Sequence, residues 1–395
     1  MARPRADGDS PNRLRRRDML GGMAFLGGSL PAAGPAGAQT VKIRLGTATP
    51  GGGFPVYGAA FVEGVRRFDP ALEIEAINTK GSTENVPMLE AGTLDIALVQ
   101  GEVVHAALQG VGHAPADLRV LTAMYPTAGM FVVRADSPYR TIGDLKGKPI
   151  AWGAGGSGLV ILGRYAMDGL GLDAATDFQP IYLERAGDGP AMVLDGRAAA
   201  LWGGGNGWPG FMTMARSKEG ARFIAPDADE IRRILAKHPF LKPVTQPAGS
   251  FPGQDTAIPS VGSWSFVLAR PGLDEASAYR IVKALHALQQ AGNPPAQLVD
   301  TTAANTVSVV PGREKLHPGA ARFYGEIGLL TEPTAGCRVA PSGNDGARHG
   351  QGQGQDRGRR QLHCHRRLQR ANRRIPEAGQ GRRRRPRRRQ GPGLG

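Results

Sequence analysis

Small hydroxyl and amide side chains beside glycine are the groups of this 395-residue chain best suited to bind a small acid. Ser82 and Thr83 follow Gly81 at the start of a predicted helix, and Asn85 lies in the same helix. Gln100 follows at the end of an apolar run. A helix start offers free backbone N–H groups and a partial positive charge, so these side chains predict one half of a small-molecule site. Ordinary helix capping is the alternative that the residue types leave open.

A glycine-rich loop, residues 47–57 (TATPGGGFPVY), separates a predicted strand from a predicted helix. Glycine allows the backbone to approach a ligand closely. The loop has neither the Gly-x-Gly-x-x-Gly spacing of dinucleotide sites nor the Gly-Lys-Ser/Thr of a P-loop. We predict small-molecule contacts from four of its residues: Thr49, Gly52, Gly53 and Tyr57.

A second glycine-rich loop, residues 153–158 (GAGGSG), also lies between a predicted strand and a predicted helix. Backbone amides and one hydroxyl in such a loop can hold an anion. We therefore expect Gly156, Ser157 and Gly158 to contact the ligand. A tight turn without a ligand is the alternative.

A third glycine-rich loop, residues 203–209 (GGGNGWP), carries an amide and an indole. We expect Asn206 to bond a carboxylate or amide, and Trp208 to form a wall of the pocket. Packing at a hinge is the alternative for Trp208. Arg134, Arg164 and Arg185 are the arginines best placed to clamp a carboxylate, but surface acids could equally pair with them, so the predicted site includes none of them.

Strands and helices alternate through the first 110 residues. Alternating or continuous apolar residues predict strands at 41–47, 72–77 and 93–100, and 3–4 spacing predicts helices at 58–68, 84–91 and 102–108. This order is typical of an α/β protein with a mainly parallel sheet. Ligands of open α/β sheets bind outside the carboxyl ends of the strands, where the polar loops lie.

Two apolar segments are predicted to cross between two lobes. Residues 129–134 make the first crossing and residues 263–269 the return. The first lobe then consists of residues 39–130 and 264–332, and the second of residues 131–263. We expect hinge closure of the two lobes around a ligand.

The formal charge of +15 is concentrated at the two ends of the chain. Residues 1–40 carry +3 and residues 333–395 carry +14, so residues 41–332 carry −2. A near-neutral body argues against a nucleic-acid partner.

No metal site, cofactor or catalytic set is predicted for the body, which we interpret as non-enzymatic. Both cysteines lie beyond residue 332, and no Gly-x-Ser-x-Gly motif is present. The histidines of the body are isolated in the sequence: His105, His113, His238, His286 and His317.

The amino terminus is predicted to be a cleaved export signal, residues 1–38. Arginines 15–17 precede a modest apolar run, and small residues follow at 36–38. The paired arginines are typical of the twin-arginine class. The run is shorter than the roughly 20 residues that span a bilayer. We expect a periplasmic protein whose body is not inserted in the membrane.

Residues 333–395 are predicted to be a disordered tail rich in Arg and Gly. Its arginine runs would bind polyanions if the segment exists in the cell. We favour the hypothesis that it is a frameshift product, because the composition changes abruptly just after the last predicted helix. The intact mass of the native protein would contradict this hypothesis if it included these residues.

Several motifs together resemble the TAXI family of TRAP-transporter solute-binding subunits. They are LGTATPGGG, then GSTEN with LEAGTLDIALVQ, and later DLKGKPIAWGAGGSG, SFPGQDTAIPSVGSW and LHPGAARFYGEIGL. The resemblance covers residues 41–332. It implies a type II periplasmic-binding-protein-like clamshell, a small organic anion as ligand and a TRAP membrane permease as partner. It is also consistent with a monomer.

Two departures from the family pattern concern the expected pocket. The family usually has an Asp soon after the strand where this chain has Gly101-Glu102, and the first loop carries Pro50 and a third glycine. Dicarboxylates, glutamate-like amino acids and keto acids all fit an amide-lined pocket.

Three other functions remain open at this stage. The same fold would serve an ABC importer or a sensor, or an enzyme that does chemistry in the cleft. A nucleic-acid binder acting through the tail is disfavoured by the predicted export and the neutral body.

Overall fold

The computed structural model describes residues 40–112 and 114–330. The predicted export signal, the predicted tail and His113 lie outside these residues.

The first sheet begins with strands and helices that alternate along the chain. They are β1 (Val41–Gly46), α1 (Gly53–Phe68), β2 (Leu72–Ile77), α2 (Ser82–Glu90), β3 (Ile96–Val99) and α3 (Gly101–Gln109). β1 lies between β2 and β3 and is parallel to both. The carboxyl ends of the three strands therefore meet at one edge, where α1, α2 and α3 begin.

Two long strands run side by side through the centre of the fold: β4 (Arg119–Arg134) and β10 (Ile258–Ala269). They pair antiparallel, and β10 also pairs with β3 on its other side. At Gly262 the strands approach so closely that a Cβ atom would collide with the Thr127 carbonyl oxygen. Only glycine fits this point of the crossing.

The second sheet contains β5 (Pro149–Ala154), β6 (Gln179–Leu183), β7 (Ala200–Gly204) and β8 (Ala221–Ile224), while β9 (Lys242–Gln246) pairs with the amino-terminal half of β10. β5 lies between β6 and β7 and is parallel to both. The end of β4 pairs antiparallel with β7 and β8. The remaining helices are α4 (Gly158–Gly169), α5 (Gly189–Leu194), α6 (Pro209–Arg216), α7 (Ala228–Lys237), α8 (Glu275–Gln290), α9 (Ala303–Val309) and α10 (Pro318–Glu326).

Buried apolar side chains form separate clusters around the two sheets. One cluster comes from residues 43–124 and 266–324, and two others come from residues 128–261. The predicted α/β class is confirmed, with mixed sheets flanked by helices. Four strand pairings are parallel and five are antiparallel, because the two long central strands run antiparallel to all of their partners. The lobe boundaries stay a prediction. None of the helices in the described part of the chain has the length and hydropathy that a bilayer crossing requires.

Three elements differ in their bounds from the sequence predictions. α1 begins at Gly53, five residues early, because Pro55 fits the first turn of a helix. Residues 119–134 form one strand, because pairing with β10 continues through Pro126. β10 begins at Ile258, since its pairing with β9 extends it beyond the predicted residue 263.

Asp95 ties the start of β3 to two neighbouring strands. The Nε atoms of Arg44 and Arg270 donate to its carboxylate at 3.0 and 2.9 Å, and the backbone N–H of Arg44 donates at 2.9 Å. Burial alone would raise the pKa of Asp95. The hydrogen bonds from the two arginines outweigh burial and lower this pKa to about 2.

We expect Asp95→Asn to lower the free energy of unfolding by about 2 kcal/mol at neutral pH. The folded-state pKa lies below the ordinary value near ~3.9, so the stabilisation is present above that value and is lost as the pH falls toward ~2. Urea denaturation at about pH 7 and about pH 3 measures this loss. Asp117→Asn is the control, because Asp117 forms an exposed pair with Arg119. Equal losses in the two variants would contradict the prediction.

Candidate functional site

A cavity of about 560 Å³, including its part open to solvent, lies where α1, α2 and α4 begin. Its walls come from the carboxyl ends of strands in both sheets and from the middle of β4. Eight of the thirteen predicted contacts line it: Thr49, Gly52, Gly53, Ser82, Gln100, Ser157, Gly158 and Trp208. Whether they bind a ligand stays a prediction.

Tyr57 and Asn206 line a neighbouring cavity of about 470 Å³, which shares Trp208 and Gly53 with the first. The Tyr57 side chain is fully buried, and its hydroxyl lies 2.9 Å from Oγ1 of Thr301. This contact makes Tyr57 part of the core of the first sheet.

Asn85, Thr83 and Gly156 do not line the first cavity. The amide nitrogen of Asn85 donates to the carbonyl oxygens of Thr47 and Leu98, both at 2.8 Å, so it joins the ends of β1 and β3. Thr83 donates to the Gly156 carbonyl oxygen twice, from its N–H at 3.2 Å and its hydroxyl at 3.0 Å. These three residues hold the walls of the site together.

The two sheets contact each other on both sides of the cavity. On one side Thr83 bonds Gly156, as described above. On the other side the N–H of Gly187 donates to Pro50 at 3.3 Å, and the N–H of Ala186 donates to Oγ1 of Thr49 at 3.2 Å. The cleft between the two sheets is therefore closed in this structure.

Three hydroxyls on the lining already accept a backbone hydrogen bond. Ser82 accepts from the N–H of Gln100 at 3.1 Å, Ser157 from the N–H of Leu159 at 3.2 Å, and Thr49 from Ala186. Their hydroxyl protons have no acceptor among the described residues, so they remain available to a ligand.

The amide nitrogen of Gln100 is a further donor without a partner in the described chain. Gln100 is 3 % exposed and lines the cavity. This nitrogen has almost no accessible surface, and the Gln100 side chain lowers the pKa of the Glu102 carboxyl, so the donor lies on the side of Gln100 that faces Glu102.

Glu102 is a residue of this region that the predicted site does not include. Its side chain is fully buried at the start of α3, and neither carboxylate oxygen has a well-aligned hydrogen-bond partner among the described residues. Burial raises the pKa of Glu102 to about 7, although the nearby Ser263 and Gln100 side chains oppose the shift. Its position directly after a buried strand is the sequence signal that could have singled it out.

No three His, Cys, Asp or Glu side chains converge as a metal site would require within residues 40–112 and 114–330. The three arginines considered as clamps are engaged elsewhere. Arg134 pairs with Asp136 at 2.6 Å, Arg185 lies 3.4 Å from Asp188, and Arg164 lies over the ring of Tyr182.

Residues 45–328 match the model of the NMT1-like family. The protein belongs to the NMT1-like family. The match covers nearly all of the described residues, including every residue of the candidate site. The finer assignment of this NMT1-like chain, to the TAXI family of TRAP systems, stays a prediction.

Solved structures similar to this NMT1-like chain include binding proteins for small solutes. The alkanesulfonate-binding protein SsuA from Xanthomonas axonopodis pv. citri, bound to MOPS, is 17% identical, with 73% of this chain and 84% of that chain covered and a TM-score of 0.41. The aliphatic sulphonate binding protein SsuA from Escherichia coli is 19% identical, with 72% and 82% covered and a TM-score of 0.40. A substrate-binding protein of an amino acid ABC transporter is 14% identical, with 66% and 98% covered and a TM-score of 0.40.

Proposed function

We propose that this NMT1-like protein is an extracytoplasmic receptor that closes its cleft on a small organic anion and delivers it to a membrane importer. The supporting observation is the set of unused donors on the cavity wall. The hydroxyl protons of Ser82, Ser157 and Thr49 are available to a ligand that accepts hydrogen bonds. The starts of α2 and α4 add backbone N–H groups and a partial positive charge.

Two classes of importer are candidates for the partner. An ABC importer agrees with the amino acid-binding neighbour named above, and we put it first. A TRAP-type permease follows from the TAXI-like motifs of the sequence and is the second candidate. Co-purification with the permease encoded beside this gene distinguishes the two classes. The two permeases differ in subunit composition, and only the ABC class hydrolyses ATP.

A periplasmic location is part of the proposal and rests on the charged and apolar pattern of residues 1–38. A binding function without turnover is also part of the proposal and rests on the spacing of the histidines in the sequence. Formation of a product from a bound acid would favour the enzyme alternative instead.

A thermal-shift screen of the purified full chain tests the binding proposal. We expect at least one small organic acid to raise the melting temperature by about 4 °C at 100 times its dissociation constant, because such a ligand stabilises the folded state by about 2.7 kcal/mol. Neutral sugars and organic cations of similar size are the controls. A shift with these controls and none with any acid would overturn the proposal.

A further inference from the structure

We propose that the site selects acids with a hydroxyl group on the carbon beside the acidic group, because Glu102 holds the Gln100 amide with its carbonyl oxygen toward the cavity. Gln100 is then a specificity-determining residue, and Glu102 is a positioning residue behind it. This inference rests on the proposed function and narrows its substrate class.

The backbone of Gln100 is fixed between β3 and α3. Its N–H donates to Oγ of Ser82 at 3.1 Å, and its carbonyl oxygen accepts from the N–H groups of Val103 and Val104 at 3.0 and 2.9 Å. A Cβ atom built on Gly158 would lie 2.5 Å from Cβ of Gln100, so the start of α4 packs directly on the side chain. The choice that remains is which end of the side-chain amide faces the cavity.

The two ends of the Gln100 amide lie in different surroundings. The nitrogen has almost no accessible surface, and the Gln100 side chain lowers the pKa of the Glu102 carboxyl, so this end faces Glu102. The oxygen Oε1 lies 3.2 Å from the same Cβ position on Gly158, and both residues line the cavity. Unlike the nitrogen, Oε1 has accessible surface, and no donor of the described chain bonds it.

The Glu102 carboxylate determines this orientation. An ionised carboxylate and an amide oxygen both accept hydrogen bonds and cannot donate them. Turning Oε1 toward Glu102 would therefore place acceptors against each other beside a buried charge, which is unfavourable. The side chains that interact with Glu102 from β10 and α4, Ser263 and Tyr165, carry no positive charge, so neither replaces the amide as a strong donor.

Oε1 of Gln100 is the only side-chain oxygen on the described cavity wall that accepts and cannot donate. The other side-chain oxygens of the lining belong to hydroxyl groups, which can do both: Thr49, Ser82, Tyr125, Thr127 and Ser157. A ligand that covers Oε1 without donating to it removes water from an acceptor and leaves the acceptor unpaired. A ligand with a donor at this point is therefore favoured.

The donor must lie close to the acidic group. Oγ of Ser82 and Oε1 of Gln100 are 2.9 and 3.2 Å from the Cβ position on Gly158, which is the first residue of α4. The start of this helix and the Ser82 hydroxyl favour an anion, so the anion and Oε1 are neighbours. A carboxylate alone would bring a second acceptor to Oε1, whereas a hydroxyl on the adjoining carbon donates to it.

A hydroxyl group fits this point better than an ammonium group. Neither aspartate nor glutamate lines the cavity in the described part of the chain, and the fully buried Glu102 lies behind the amide. An ammonium group would exchange its hydration for one neutral acceptor. Burying a charge in this way is more costly than burying a hydroxyl group.

Isothermal titration calorimetry of the full chain at about pH 8 tests this inference, because the pKa of Glu102 is about 7 and its carboxyl is then mostly ionised. Hexanoate is compared with 2-hydroxyhexanoate and with norleucine, which adds an ammonium group instead. Phenylacetate, mandelate and phenylglycine repeat the comparison on an aromatic body. We expect the better enantiomer of a hydroxy acid to bind at least about tenfold more tightly than the other two acids of its set.

Gln100→Met removes the acceptor and keeps the length of the side chain. We expect the ratio between the affinities for the hydroxy acid and the unsubstituted acid to fall to about one. Gln246→Met is the matched control, because Gln246 is also buried and does not line the cavity. This control should keep the ratio of the parent protein.

Glu102→Gln tests the positioning role. Its neutral amide can donate or accept, so Gln100 can turn either end to the cavity, and we expect the ratio to fall by about threefold or more. A merely structural role would weaken both acids alike and leave the ratio unchanged.

Three results would overturn the inference and leave the receptor proposal standing. They are an unsubstituted acid that binds as tightly as its hydroxy acid, an amino acid that binds more tightly than the hydroxy acid, and an unchanged ratio in Gln100→Met or Glu102→Gln. Absence of binding by these acids and by every acid of the thermal-shift screen would instead remove the receptor proposal.

Discussion

Gly158→Ala is expected to weaken solute binding by about 10- to 100-fold while the protein stays folded. The added methyl group would lie 2.5 Å from Cβ of Gln100 and 2.9 Å from Oγ of Ser82, which belong to the opposite wall of the cleft. These contacts cross the closed cleft, so we expect the variant to relieve the collision by opening. Opening separates the donors that we assign to the anion, and affinity falls because the ligand must then restore the closed state.

Calorimetry with the tightest acid of the screen measures this effect. Gly155→Ala is the matched control, because the same methyl group would meet no heavy atom within 4 Å there. Gly156→Ala is a second test, since its methyl group would lie 2.7 Å from the Lys80 carbonyl oxygen. Both cleft variants should melt within about 2 °C of the parent protein if only closure is affected. Unchanged affinity in Gly158→Ala and Gly156→Ala would show that ligand binding does not need this closed arrangement.

Glu102→Gln is expected to remove a pH dependence of stability that extends from about pH 4 to about pH 7. The Glu102 carboxyl is fully buried, and burial raises its pKa to about 7. A raised folded-state pKa means that the folded protein binds a proton more tightly than the unfolded chain does. The stabilisation is therefore complete below the ordinary pKa near ~4.3 and is lost as the pH rises through about 7.

The groups that face Glu102 do not supply a compensating positive charge. Ser263 of β10 and Gln100 are neutral, and both have a buried polar atom without a well-aligned partner in the described chain. Tyr165 of α4 is the titratable neighbour across the cleft; burial raises its pKa, and the charge of Glu102 raises it further. The ionised carboxylate therefore lacks a counter-charge, and its neutral isostere should be more stable at high pH.

Melting temperatures of the parent protein and of Glu102→Gln, recorded between about pH 5 and pH 8.5, measure this difference in stability. The shift in the pKa of Glu102 corresponds to a change of about 3 kcal/mol in the free energy of unfolding. For a folded region of this size, that is a change of about 5 °C in melting temperature. We expect Glu102→Gln to melt above the parent protein at pH 8.5 and close to it at pH 5. Glu90→Gln, at the exposed end of α2, is the control. Parallel pH profiles for the parent and Glu102→Gln would show that this carboxyl does not titrate in the range.

Local sequence patterns were sufficient to predict the order of the strands and helices. The alternating apolar residues of β1 and β2 and the polar loops after the strands predicted the parallel sheet and the edge where a ligand would lie. The crossing strands were predicted in part. The continuity of β4 through Pro126 depends on its pairing with β10, which is more than 100 residues away in the chain.

The residues of the candidate site were also predicted only in part. Ser82, Gln100 and Ser157 were predicted from residue type and position, and they do line one cavity. Asn85 has the same chemistry, but its amide bonds the carbonyls of Thr47 and Leu98 instead. The residue type determines which hydrogen bonds a side chain can form. The groups that surround it in the folded protein determine which of those hydrogen bonds it does form.

The sequence by itself determined the α/β class, the loops that meet at the strand ends and the near-neutral charge of the body. These properties follow from periodicity and composition, which are local. Only the tertiary structure decided that Thr83 bonds Gly156 across the cleft, that Gly158 lies on Gln100, and that Glu102 is buried without a counter-charge. Each of these depends on distances between segments far apart in the chain, and such distances are set by how the two sheets pack against each other.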